Sequence, residues 1–397
     1  MKQYNRWMSA ATQTWQRQIN KYWFNCKKNE NIVIVPSNKN LGPAVIDTAT
    51  YINRALKDHL LDTKNYRRLT ESEADIHLQT LFHSILDITD RICDSLEEQM
   101  DPKQSTQRYF NRMYKCSTDE TGACKKPEDM NHGTFYLMPK VHKTPCQTRP
   151  VGSQSGSLLE PLARWLDTQL QLVLPLCTSY FKDGRELQQA LKQLKWVPAD
   201  AKAMYVNIDT DHGLWVLHQW FDLHQKELPH NLATVHMLLE TLELIMRNNL
   251  FTFGDTWWIQ VSGTAMGTSP ALLYATIYYL YHEETQLLPH WETFQLLLYV
   301  RYIDDALIIQ RGNGVLFSAF TDAMNSFGEV GKRLEWEATE PGKSVAFLDF
   351  TIYFDADGNL ATKTYQKGMN LYLCLPPTSA HTPSIFQGMV YGMIRRY

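Results

Sequence analysis

The stretch Leu296-Leu297-Leu298-Tyr299-Val300-Arg301-Tyr302-Ile303-Asp304-Asp305-Ala306-Leu307-Ile308-Ile309 decides how this chain is read. Two adjacent aspartates lie inside an otherwise apolar run, and paired carboxylates in such surroundings are costly unless something positive neutralises them. β-Branched and aromatic residues on both sides predict two strands joined by a tight turn carrying Tyr302-Ile303-Asp304-Asp305. Hard oxygen ligands at a hairpin tip suit Mg²⁺, with Mn²⁺ as a substitute, because such an ion keeps its waters and recruits substrate phosphates. Phosphoryl transfer is the reaction this implies. A solvated Asp-Asp turn is the plainer alternative, and the apolar flanks argue against it.

Working outward, 397 residues suffice for two or three lobes, and 44% apolar with 20% charged residues describes an ordinary globular chain. A net charge of −3 gives no global sign of a nucleic-acid binder. Locally, Lys2, Arg6, Arg17, Lys21, Lys27 and Lys28 face few acids, and 103–149 is rich in Lys and Arg, so a basic groove beside an acidic metal site is expected. Seven cysteines without framework spacing predict a reducing, intracellular compartment. Cys116, Cys124, His132, His142 and Cys146 fit no closed zinc pattern. No apolar signal segment opens the chain, and the longest apolar stretch, 270–281, is too short to span a membrane.

The pattern along the chain predicts a basic helix over 1–30, strands at 32–36 and 44–47, helical periodicity over 49–114 and a strand at 134–138. Ser157 is read as the cap of a helix running to about Leu174, where Pro175 stops it, and a short helix is expected over 183–194. Strand content follows at 196–208, with Asp211 as the N-cap of the next helix. A helix over 232–247, a hairpin over 250–260 with a Gly-Asp turn, a loop at 263–269 and a helix over 270–284 precede the acidic hairpin. A helix at 314–327 and strands at 334–339, 345–354 and 360–365 follow it. This order implies an α+β fold.

In-line nucleotidyl transfer uses two metals about 3.5–4 Å apart and so needs a carboxylate from outside the hairpin. Asp209 ends the alternating Met204-Tyr205-Val206-Asn207-Ile208, whereas Asp200 is followed by small residues that let backbone amides approach a triphosphate. The residues alone leave both open.

Asp200 to Tyr205, Gln260 to Pro270 and Tyr302 to Asp305 arrive in the order and spacing of a reverse transcriptase. The chain resembles the Penelope-like retroelement enzymes most, which are relatives of the telomerase catalytic subunit. That family carries an aspartate five residues before an aromatic, a spacing that Asp200 and Tyr205 satisfy and Asp209 with Leu214 does not. The resemblance therefore implies Asp200, Asp304 and Asp305 as catalytic metal ligands, with the Ala201 carbonyl completing the set and Tyr205 beneath the sugar of the incoming nucleotide. Gln260-Val261-Ser262-Gly263-Thr264-Ala265-Met266-Gly267 resembles the family's loop at the nascent base pair, with Gln260, Gly263 and Gly267 implied in substrate binding and Met266 standing where many relatives have glutamine. Lys140 and Arg149 resemble the finger residues that meet triphosphate oxygens. Asn38-Lys39-Asn40-Leu41-Gly42 looks like a motif of the same branch, 346–350 like the primer-grip strand and Lys343 like a lysine near the leaving pyrophosphate.

The expectation is thus a right-hand polymerase core with an antiparallel palm sheet: a basic extension over 1–30, fingers over 31–195, palm over 196–365 and an incomplete thumb beginning at 366–397. By resemblance it is an RNA-directed DNA polymerase using Mg²⁺, an RNA template, a DNA primer and dNTPs, acting in the nucleus. The rival expectation is an RNA-binding scaffold of the same fold that no longer polymerises.

Overall fold

The computed structural model describes residues 31–38, 43–96, 100–114, 117–118, 124–125, 132–141, 143–180, 197–202, 208–310, 314–325, 335–338, 344–348, 350–355, 360–365 and 383–396. Tyr205, Lys343, Cys116, His142 and the helices expected over 1–30 and 183–194 lie outside the described residues. The chain divides into two compact units, one of residues 1–59, 137–150 and 366–397, the other of 60–136 and 151–365.

In the first unit β1 (Ile32–Pro36) pairs antiparallel with β2 (Pro43–Asp47), which runs into α1 (Thr48–Ala55). Asp47 caps that helix by accepting from the Thr50 amide at 2.8 Å.

The second unit opens on β3 (Tyr66–Leu69), where the helical reading of 49–114 fails. Asp62 makes a local turn by accepting from the Lys64 amide and the Asn65 side chain, and Tyr66 and Leu69 then bury on a sheet. Helix α2 (Glu71–Ser95) begins at a capping box, with Thr70 accepting from the Glu73 amide and Glu73 from the Thr70 amide. After α3 (Met100–Met113) and the short pair β4 (Ser117–Thr118) and β5 (Cys124–Lys125) come β6 (Gly133–Lys140) and β7 (Gln147–Ser153). Helix α4 (Glu160–Gln171) starts at Leu159 with Pro161 in its first turn, so Ser157 is not its cap. Strand β8 (Val197–Lys202) precedes α5 (Thr210–Leu223), α6 (Val235–Arg247) and the hairpin of β9 (Leu250–Phe253) and β10 (Thr256–Gln260), which turns at Gly254 with φ +55°. Helix α7 (Ala271–His282), β11 (Leu296–Tyr302), β12 (Asp305–Gln310), α8 (Gly314–Asn325) and β13 (Glu335–Ala338) complete the central part. The strand expected over 345–354 is a hairpin, β14 (Ser344–Phe347) and β15 (Phe350–Phe354), turning at Leu348 with φ +55°, and β16 (Leu360–Thr364) follows. In the first unit α9 (Pro383–Arg396) is the last described element.

Of the described sheets, two have four or more strands. One is mixed, in the order β3-β10-β9-β6-β7, with β6 parallel to β9. The other is antiparallel throughout, in the order β11-β12-β8-β13. Along β12, Ala306 and Ile308 join the large core that contains the helices, whereas Leu307 and Ile309 join a second cluster with Phe347 and Ile352. Burial on both faces explains why the strand reads as a continuous apolar run instead of alternating. Each of these Leu and Ile side chains contributes about 1.5–3 kcal/mol by leaving water.

Helices α5 and α7 pack together through His212, Tyr278 and His282. His212 Nδ1 lies 2.9 Å from the Tyr278 hydroxyl, and its ring stacks on His282 with centroids 5.6 Å apart. Burial, reinforced by His212, pushes His282 down to about 3. Burial also holds His212 below its ordinary range, against the opposing charge of Asp209. An imidazole depressed on folding stays neutral in the native state but takes a proton near pH 6.5 once unfolded. Its stabilising contribution is therefore complete above that pH and lost as pH falls towards 3. Between pH 7 and pH 5 urea unfolding is expected to lose about 2 kcal/mol from His282 alone. His282→Phe should flatten that slope, and an equally steep slope in the variant would contradict the assignment.

Candidate active site

The acidic hairpin closes on a two-residue turn. Tyr302 pairs with Asp305, leaving Ile303 and Asp304 at the tip. Ile303 adopts φ +57°, a left-handed conformation that is costly for a β-branched residue and is stored where surrounding structure holds it in place. Asp304 and Asp305 are both half-buried at this tip. Among the described residues the fully buried acid–base pair is Arg301 with Glu283.

Strand β8 brings in the third position. Asp200 stands directly opposite Asp305 on one side and opposite Glu337 of β13 on the other. Asp305, Asp200 and Glu337 thus occupy one row across three strands, with Asp304 next to it on the turn. Like charges directly opposite one another destabilise a sheet, and a positive group nearby would relieve them. Arg301 does not serve, because its guanidinium is engaged with Glu283 at 2.5 Å. Carboxylate oxygens are the ligand type that hard divalent ions such as Mg²⁺ and Mn²⁺ take. Among the described side chains no three His, Cys, Asp or Glu form a metal-holding group, and that includes those of the zinc reading, His132 and Cys146.

Asp209, the alternative to Asp200, is a helix cap. Its carboxylate accepts from the His212 amide at 3.0 Å at the start of α5, the role expected of Asp211. Asp211 instead meets Arg247 at 2.7 Å.

The loop before α7 is folded inward. Gln260 is 3% exposed and donates to the Ser262 carbonyl at 3.0 Å, so its side chain shapes the loop from within. Gly263 has φ +77°, a conformation that favours glycine. Gly267 is required for a reason the sequence did not suggest. A Cβ there would lie 2.6 Å from both the Gly152 carbonyl oxygen and the Ser153 Cα, because the loop pairs with the end of β7. Met266, beside it, is partly buried.

Ala201 follows Asp200 on β8, opposite Trp336. In the first unit Lys140 ends β6 and Arg149 lies on β7, both half-buried. His59 lies 2.8 Å from the Thr148 hydroxyl beside Arg149, and Arg54 donates to the Cys146 carbonyl at 2.8 Å. Burial holds the His59 imidazole below its ordinary range, with Asp58 opposing and Lys140 adding to the shift.

No sequence motif marks Arg301 and Glu283. A lone arginine inside an apolar strand was the available signal, because such a charge needs a buried partner. That partner lies in the turn following α7.

No family model matches the sequence, and no curated protein matches it. Solved structures do. The telomerase of Candida albicans, in complex with a TWJ fragment of telomeric RNA, aligns over 91% of this chain and 56% of its own, at 11% identity and a TM-score of 0.54. Apo telomerase from Candida tropicalis aligns over 84% of this chain and 56% of its own, at 11% identity and a TM-score of 0.50. The fold is polymerase-like. The chain spans little more than half the length of these structures. No described helix is long and apolar enough to cross a membrane.

Proposed function

We propose that this chain is a template-directed polymerase that copies RNA into DNA, as a retroelement reverse transcriptase of the Penelope-like kind. The register that sets Asp200 opposite Asp305, one residue from the strained Ile303-Asp304 turn, carries this reading. A polymerase-like fold supports it, and the RNA bound in one fold neighbour makes an RNA template the natural partner.

In this reading Asp200, Asp304 and Asp305, with the Ala201 carbonyl, would hold two Mg²⁺ ions, for which Mn²⁺ could substitute. Such ions would supply Lewis acidity towards the primer hydroxyl and charge neutralisation at the departing pyrophosphate. A bond forms between the primer O3′ and the α-phosphorus, and the bond to the β-phosphate bridging oxygen breaks. Lys140 and Arg149 neutralise phosphate oxygens, the arginine through paired donors. Gln260, Gly263 and Gly267 shape the loop against which the nascent pair forms. The resemblance gives Tyr205 the role of excluding a 2′-hydroxyl. A nuclear site of action belongs to the same proposal.

Sugar choice tests the reading. Tyr205→Phe should preserve the ratio of kcat/KM for dNTP over rNTP in primer extension, and Tyr205→Ala should lower it by about tenfold or more, since the ratio reports differential transition-state binding. A folded, active Tyr205→Ala chain with an unchanged ratio would remove Tyr205 from the site and weaken Asp200 with it. A chain that binds RNA and extends nothing would favour the scaffold reading.

A further inference from the structure

Among the described residues Arg301 is the largest charged side chain buried without any exposure, and its partner Glu283 is equally buried. Its Nε donates to Glu283 Oε1 at 2.5 Å, and one terminal nitrogen donates to the Thr276 carbonyl at 3.0 Å. The other terminal nitrogen donates to the Ile303 carbonyl at 3.1 Å. Glu283 also accepts from the Ser179 hydroxyl at 2.5 Å and from the Tyr299 hydroxyl at 2.8 Å. The guanidinium lies 5.3 Å from the centre of the Tyr279 ring. Backbone joins in as well, since the Arg301 amide donates to the Ser179 carbonyl at 2.8 Å, and Tyr180 next to it stacks on Tyr302.

A buried ion pair is weak evidence for stability, because well-packed apolar residues of similar volume often do as well or better. What apolar residues cannot do is hold a carbonyl in a left-handed turn. The Ile303 carbonyl belongs to the peptide that leads into Asp304, and Ile303 is the strained residue of that turn. We propose that Arg301 is the positioning residue of the acidic turn: anchored by Glu283, it fixes the Ile303-Asp304 peptide and thereby aims the Asp304 carboxylate at a divalent cation. This rests on the polymerase reading only in taking Asp304 as a cation ligand. Arg301 touches neither substrate nor metal and acts through the turn.

The test is Mn²⁺ binding to the purified chain, followed by the electron paramagnetic resonance of free Mn²⁺, alongside thermal unfolding and primer extension. In Arg301→Lys the ammonium keeps the charge pair with Glu283 but cannot also span to the Ile303 carbonyl. In the double variant Arg301→Met, Glu283→Leu both charges go. Both variants should weaken Mn²⁺ binding by about tenfold or more, the usual loss when the support of a metal ligand is removed. The double variant should unfold at or above the wild-type temperature. Asp304→Asn should abolish the same binding. A folded Arg301→Lys chain that binds Mn²⁺ as the wild type does overturns the proposal, as does Mn²⁺ binding that survives Asp304→Asn. An Arg301→Lys chain that fails to fold assigns the pair to stability and overturns it too. If the wild type binds Mn²⁺, Arg301→Lys weakens it and neither extends a primer, the positioning role stands and the polymerase reading falls. If extension proceeds and Arg301→Lys leaves Mn²⁺ binding and extension unchanged, the reverse holds.

Discussion

Asp304→Asn is expected to lower primer extension by about three orders of magnitude, because it removes a metal-holding charge at the point where transition-state charge develops. Affinity for primer-template should change little, since phosphate contacts are made by basic residues elsewhere. Asp200→Asn should behave the same way. Asp209→Asn should leave extension intact and the fold nearly as stable, because asparagine caps a helix about as well as aspartate, and the Asp209 carboxylate is committed to the His212 amide. Asp209→Ala removes that cap and is expected to cost about 1 kcal/mol. Extension kinetics and urea unfolding of the four variants separate the two roles. An inactive Asp209→Asn beside an active Asp200→Asn would reverse the assignment.

Gly267→Ala carries the second large effect. The added methyl would stand 2.6 Å from two backbone atoms, the Gly152 oxygen and the Ser153 Cα, and neither can swing away as a flexible side-chain end could. The loop and the end of β7 must part, which costs about 1–3 kcal/mol by the measure of overpacked cores and lowers the unfolding temperature by several degrees. The same shift moves the segment that leads into α7, so the KM for dNTP should rise in whatever folded fraction remains. Gly156→Ala makes a useful comparison, since nothing lies within 4 Å of its Cβ position and only its φ of +73° opposes the change. Equal unfolding temperatures for wild type and Gly267→Ala would show that the loop is not packed against β7 as described.

How much was legible from residues alone varied with the range of the interactions. The hairpin around Asp304 and Asp305 was plain, because an apolar run broken by two acids has few solutions, and the β9-β10 hairpin announced itself through Gly254-Asp255. Strand β3 was not legible. Tyr66-Arg67-Arg68-Leu69 is short and sits between helical stretches, and it becomes a strand only by pairing with Trp257–Gln260, far along the chain. The competition between Asp200 and Asp209 stayed open for the same reason. Either could end a strand, and only the pairing of β8 with β12 sets Asp200 opposite Asp305, while a local cap accounts for Asp209. Gln260 and Gly267 were legible as important but not as packing residues, since their partners Ser262, Gly152 and Ser153 are set by how the loop folds back. Arg301 and Glu283 were the largest omission, because a charge in an apolar strand names no partner by itself.

The most direct measurement is extension of a labelled DNA primer on a heteropolymeric RNA template by the purified chain in Mg²⁺, with the product sequenced. The expected product is DNA complementary to the RNA, dependent on the divalent ion, and absent from Asp304→Asn and Asp200→Asn prepared in the same way. A folded wild-type chain that adds no nucleotide in either Mg²⁺ or Mn²⁺, or an Asp304→Asn chain that adds them as fast as the wild type, would contradict it.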